Sequence, residues 1–131
     1  MMYRFLHITI VPEMAPPPPM VLQNRMNDLG RDWIAYNAFC WVLWTNKSIV
    51  TVAEMIMNDV GLGDQVLVVA LDASEVPNGR LPQWAWDWFN RPRDPQSGDV
   101  QTPVLPAPEA KNLFDPALWT QPRLGGGKAQ F

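Results

Sequence analysis

Short apolar segments of strand type follow one another along this chain, separated by segments of helical spacing. Residues 3–11 place Leu6, Ile8 and Ile10 on one face of a strand and a more mixed set on the other. Residues 36–45 are apolar on both faces, as in a central strand that is covered on both sides or that also meets a partner. Residues 65–72, with an apolar run over 66–71, form the third predicted strand.

Two helices are predicted between these strands. Residues 20–29 keep helical spacing up to Gly30, which stands where a left-handed C-terminal cap is expected. The second helix is predicted to open at Thr51, because Thr51 and Glu54 match the capping box, and to reach Gly61. This order favours an α+β domain of the ferredoxin-like βαββαβ type, with Asp32 and Trp33 in a connection.

The segment after residues 77–79, which read as a turn, carries three tryptophans at every second position. Trp84, Trp86 and Trp88 have strand periodicity, but polar and small residues separate them and Pro82 precedes them. A fourth edge strand and a short helix are supported about equally.

The composition changes after Arg93, which divides the chain into a domain over residues 1–93 and an extended arm over residues 94–131. The arm holds six prolines and four glycines and has no sustained periodicity. It nevertheless carries large apolar side chains, which we expect to bind in a groove of this domain or of a partner protein: Leu105, Leu113, Phe114, Leu118 and Trp119.

Composition narrows the functional classes. The net charge of −3 provides no general attraction for nucleic acid. Cys40 and His7 are the only residues of their types, which excludes an internal disulfide and the usual His/Cys zinc sites. The prolines after residue 11 interrupt any signal peptide, and no apolar run is long enough to span a bilayer. We therefore expect a cytoplasmic protein that does not enter the membrane.

Several segments resemble the SinR-like branch of the CRISPR-associated Cas-two-type proteins. They are Trp33, the stretch 41–45, Ser48, the stretch 64–69 and the tryptophan-rich segment 84–88. The resemblance implies a ferredoxin-like fold and a role in a prokaryotic defence or mobile-element system. Nuclease members of the wider family end their first strand with an aspartate that holds a divalent metal across a two-fold axis. Here that position reads Val11-Pro12-Glu13.

Two functions are therefore predicted. The first is an interaction or accessory protein without catalysis or cofactor. We expect it to be a homodimer, because helices cover only one face of a four-stranded sheet and the other would expose apolar residues. The alternative is a nuclease that uses Mg²⁺ on RNA or DNA. Its weak candidates for metal-binding carboxylates are Glu13 and Asp72, which more often are solvated turn residues.

Nucleic acid has one candidate binding segment, where aromatic and positively charged residues coincide. Bases can stack on tryptophans while cations meet the phosphates, and the residues of this type are Arg80, Trp84, Trp86, Arg91 and Arg93. The preferred interpretation of the tryptophans is that they fill a core or an interface, since each buries a large area.

Overall fold

The computed structural model describes residues 1–15, 17–72, 74–75 and 77–101. These residues form four strands and three helices in the order β1 (Arg4–Val11), α1 (Pro19–Leu29), β2 (Asp32–Ala35), β3 (Cys40–Thr45), α2 (Ile49–Met57), β4 (Gln65–Ala70) and α3 (Gln83–Asn90). The arm residues Leu105, Leu113, Phe114, Leu118 and Trp119 lie outside the described residues.

The four strands form one antiparallel sheet in the order β2-β3-β1-β4. The first strand lies inside the sheet, with Leu6 opposite Leu43 of β3 and Ile8 opposite Val68 of β4. The predicted mixture of helices with an antiparallel sheet is confirmed.

The larger core lies between one face of this sheet and helices α1 and α2. Leu6, Ile8 and Ile10 are the side chains of β1 that point into it, as their alternation predicts. Helix α1 contributes Leu22 and Met26, while α2 contributes Val52 and Ile56. Trp33 and Trp41 pack tilted against each other in the same core, with ring centroids 5.1 Å apart.

A second core lies on the opposite face of the sheet and is built by α3. Ala85, Trp86, Trp88 and Phe89 pack there on Ile34 of β2 and on Val42 of β3. The tryptophan segment is therefore a helix, and the strand alternative is wrong. The expectation that no helix covers this face is wrong too, since α3 buries the half formed by β2 and β3.

Three local predictions fail for identifiable reasons. Helix α2 begins earlier than predicted, because Ser48 is its N-cap and accepts a 3.1 Å hydrogen bond from the Thr51 N–H. Gly30 is extended, with φ −147°. A Cβ there would lie 2.4 Å from the Trp44 carbonyl oxygen, so close approach to β3 requires the glycine.

The third failure concerns the start of the second predicted strand. Residues 32–35, assigned to a connection, form β2 and hairpin with β3, and residues 36–39 form the turn between them. The Asn37 carboxamide oxygen fixes this turn by accepting from the N–H groups of Phe39 and Cys40, at 2.8 and 2.9 Å.

Residues 94–101, assigned to the arm, pack back on the domain. Val100 pairs with Arg93 in an isolated bridge. The Trp44 indole N–H donates to the Gly98 carbonyl at 3.0 Å, and the Tyr3 N–H donates to the Pro95 carbonyl at 2.6 Å. The described folded unit thus extends to Gln101, past the boundary drawn at Arg93.

Candidate interaction surface

Helix α3 is fixed at its C-terminal end by the buried guanidinium of Arg93. Its Nη2 donates to the Trp88 carbonyl at 2.7 Å and to the Asp32 carboxylate at 3.1 Å. The guanidinium carbon lies 4.4 Å from the Trp88 ring centroid and 5.0 Å from that of Phe5. A buried pair of opposite charges inside an aromatic layer therefore joins α3 to the start of β2.

The five residues predicted to bind nucleic acid divide into buried and accessible ones. Trp86 is 1% exposed, and the Arg93 side chain is 4% exposed. Arg91 lies beside Asp32, with Nη1 to Oδ2 at 3.8 Å. Trp86 belongs to the second core, in line with the preferred interpretation of the tryptophans, and Arg91 and Arg93 lie beside Asp32. Trp84 packs against the same core and is partly buried, whereas Arg80 is exposed.

Arg80 lies at a cleft of about 270 Å³ between the loop 77–81 and the side of α3 that carries Trp86 and Phe89. The cleft has aromatic walls from Tyr36, Trp86 and Phe89, and the loop 77–81 completes it. Tyr36 stacks on Phe89 with ring centroids 6.4 Å apart. Burial raises the pKa of the Tyr36 hydroxyl to about 12, so this wall stays uncharged at neutral pH.

The half of the second face that β4 and β1 form is only partly covered. Leu67 lies opposite Thr9, and Val69 lies opposite His7, so these side chains share the face that carries Phe5. Leu67 is 59% exposed, Val11 52%, Val69 40% and Leu71 38%. We call Val11, Leu67, Val69 and Leu71 the β4 strip.

His7 lies between the β4 strip and the aromatic wall of the cleft. Its ring stacks near Tyr36 at 6.3 Å between centroids, and its Nδ1 lies 3.3 Å from the Thr9 hydroxyl. Partial burial lowers the pKa of the imidazole below its ordinary value, because desolvation disfavours the charged form. The surface from the β4 strip to Tyr36 is therefore uncharged at neutral pH.

Sequence patterns alone do not distinguish the β4 strip from core. A run of six apolar residues fits a strand that is buried on both faces as well as one with an exposed face. Only the strand order shows that β4 is at the edge and that α3 covers the other end of the sheet. The role of Asp32 as the partner of Arg93 was not predicted either, because Arg93 is 61 residues away along the chain.

The two candidate metal-binding carboxylates lie at opposite ends of the sheet. Glu13 follows Val11, which pairs with the first residue of β4, whereas Asp72 follows the end of β4, level with the start of β1. The six residues from Leu6 to Val11 alone span about 17 Å, at about 3.4 Å for each of the five steps between them. Glu13 and Asp72 of one chain therefore cannot share one ion.

Each of these carboxylates has a local structural setting. The Glu13 N–H donates to the Asp64 carboxylate at 2.8 Å, and the Glu13 side chain lies against Gly63. Asp72 accepts hydrogen bonds from the Ser74 hydroxyl and N–H, which lower the pKa of this exposed carboxyl. Within the described part of the chain, no three His, Cys, Asp or Glu residues cluster in a way that could hold a metal ion.

The comparisons with known proteins add no family. Neither a protein-family model, nor a curated protein sequence, nor a solved structure matches this chain. Of the helices that the structure describes, none has both the length and the apolar character that crossing a membrane requires.

Proposed function

We propose that this chain is a non-catalytic interaction protein of ferredoxin-like topology that dimerises through the β4 strip. The observation that carries the proposal is the exposure of Leu67, which is 59% accessible beside three further exposed apolar side chains on one sheet face. Isolated apolar residues are common on protein surfaces, but a contiguous group is typical of an interaction site.

A second copy suits the strip for two reasons. The strip contains no charged side chain, so two identical strips can face each other across a two-fold axis without repulsion. In the described sheet, β4 pairs with β1 alone, and its outer edge offers backbone groups to another strand. Two copies of β4 can thus combine edge pairing with burial of both strips.

The place of the protein in a prokaryotic defence or mobile-element system remains part of this proposal, and it is supported by the segment resemblance alone. No observation favours the divalent-metal nuclease within one chain, because Glu13 and Asp72 lie at opposite ends of the sheet.

Light scattering on the full chain tests the dimer. We expect a dimer mass at micromolar concentration and a monomer mass for Leu67→Asp, because a charge placed on each of two apposed strips is desolvated and repelled. Val50→Asp is the matched control, since Val50 is 66% exposed on α2, away from the strip.

Two results would refute the dimer. One is a monomer mass for the unmodified chain across the micromolar range. The other is loss of the dimer in the Val50 variant but not in the Leu67 variant, which would move the interface to α2.

A further inference from the structure

We infer that two copies of this chain pair their β4 strands antiparallel about a two-fold axis at Val69, which joins the two four-stranded sheets into one of eight strands. The inference rests on the proposed dimer and adds which residues of the two strands lie opposite each other. In this arrangement each Leu67 packs beside Leu71 of the second copy, and the two Val69 side chains meet at the axis.

The outer edge of β4 presents the backbone N–H and C=O groups of Val66, Val68 and Ala70. The Leu71 N–H donates to the Phe5 carbonyl at 3.0 Å, so these two residues form a hydrogen-bonded pair between β4 and β1. Along an antiparallel ladder such pairs alternate with pairs that make no backbone bonds to each other. Every second residue before Leu71 therefore bonds to β1, and the residues between them direct their backbone groups to the outer side.

The other side of β1 agrees with this assignment. The Ile10 N–H donates to the Phe39 carbonyl at 2.8 Å, on the side of β1 away from β4. Ile10 lies opposite Val66, so this pair makes no backbone bonds and Val66 directs its groups outward. Among the described strands, none pairs with that outer edge.

The sequence of β4 lacks the features that commonly prevent a sheet edge from pairing with another chain. Such edges are very short, or carry a proline, a charged side chain or a bulge. Gln65–Ala70 contains no proline and no charged residue, and its six residues pair with β1 in an unbroken register. The opposite edge strand, β2, has only four residues, all of them buried. The edge of β4 is therefore the one suited to a further strand.

Charges at the two ends of β4 exclude one symmetric register. An axis at Val68 would place Asp64 of each copy directly opposite Asp72 of the other. Like charges directly opposite each other destabilise a pair of strands, and the symmetry would repeat this contact at both ends.

Side-chain pairing then favours an axis at Val69 over one at Leu67. An axis at Leu67 would place Val69 opposite the polar Gln65 and Leu71 opposite Gly63. An axis at Val69 instead places Leu67 opposite Leu71 and Val69 opposite its own copy, so that each of these apolar side chains meets an apolar partner. Such cross-strand pairs stabilise a sheet.

Disulfide crosslinking tests the register in a Cys40→Ala background that carries one new cysteine. In a non-hydrogen-bonded pair the opposed Cα atoms are about 4.5 Å apart, within the range of a disulfide. We therefore expect Val69→Cys to form a covalent dimer under mild oxidation. Leu67→Cys alone should not, because its two copies lie about 14 Å apart, but mixed with Leu71→Cys chains it should give the mixed dimer.

The outcomes separate the register from the dimer itself. More crosslinking of Leu67→Cys alone than of Val69→Cys overturns the register, as does a lack of crosslinking in every variant whose light scattering still gives a dimer mass. A monomer mass for the unmodified chain would instead refute the proposed dimer and this inference together.

A proline at position 70 tests edge pairing directly. Proline has no N–H and is tolerated in an edge strand where that group faces outward. We expect Ala70→Pro to give a monomer mass with unchanged circular dichroism, whereas Ala70→Val, which keeps the N–H, should remain a dimer. A dimer of Ala70→Pro would show that the copies meet without pairing their β4 edges. Loss of its circular dichroism signal would show that this N–H bonds to β1. Either result overturns the inference.

Discussion

At the scale of single residues, the burial of Arg93 determines how firmly α3 is held. Its side chain is 4% exposed, and that of its partner Asp32 is 5% exposed. Removing Arg93 takes away the 3.1 Å partner of the Asp32 carboxylate and leaves Arg91 at 3.8 Å, in a medium that solvates the carboxylate poorly. We expect Arg93→Met to lower the free energy of unfolding by about 3–5 kcal/mol, measured by urea denaturation.

The exposed pair of Arg31 and Asp99 serves as the comparison for that experiment. Their Nη1 and Oδ1 atoms are 2.8 Å apart, but the side chains are 51% and 75% exposed. Solvent screens a pair of this kind, and Arg31→Met should cost about 0–1 kcal/mol. Equal losses in the two variants would show that Arg93 contributes packing alone and that its charge is not buried in solution.

His7 makes stability depend on pH in a predictable direction. Its pKa in the folded chain is below the ordinary value of 6.5. Between the folded and unfolded pKa values the unfolded chain binds more protons, so the free energy of unfolding decreases as the pH falls below about 6.5. His7→Gln should remove this component, and the variant should lose less stability than the unmodified chain between about pH 7.5 and about pH 5.5. Urea denaturation at the two pH values measures it, and equal losses would contradict the shift.

At the scale of helices and strands, the sequence predicts what depends on local periodicity. The alternation of Leu6, Ile8 and Ile10 identifies the buried face of β1. The helical spacing of Val21, Leu22, Met26 and Leu29 identifies that of α1 except for Val21, which is 39% exposed. Both patterns arise because a regular backbone presents one face to the core. These two faces can therefore be predicted without knowing which distant segments pack against them.

The features that failed depend on contacts between distant segments. Gly30 is needed because β3 approaches it, which no local pattern shows. The tryptophans of α3 have strand periodicity, yet the segment is a helix. It buries its own side chains Ala85, Trp86, Trp88 and Phe89 because it crosses a sheet face that other strands have already made apolar. The candidate site could not be predicted from local patterns either. The β4 strip is exposed only because α3 covers the other half of the sheet.

At the scale of the whole molecule, the central strands join the two cores into one cooperative unit. In β3, Trp41 and Leu43 belong to the core under α1 and α2, whereas Val42 belongs to the core under α3. Neighbouring residues of β3 thus pack in different cores, one on each face of the sheet. Loss of packing on one face should therefore weaken the other through the shared strand.

Trp88→Ala tests this coupling. Trp88 is a fully buried residue of α3 in the second core, on the face of the sheet opposite to α1 and α2. Its removal should cost about 3–5 kcal/mol, as for other large core side chains. If the two cores unfold together, hydrogen exchange should accelerate by roughly a hundredfold or more in β3 as well as in α3. Acceleration in residues 83–90 with none in residues 40–45 would instead show that α3 opens separately. The sheet would then remain folded with Ile34 and Val42 exposed, and the second face would be a larger apolar surface than the β4 strip alone.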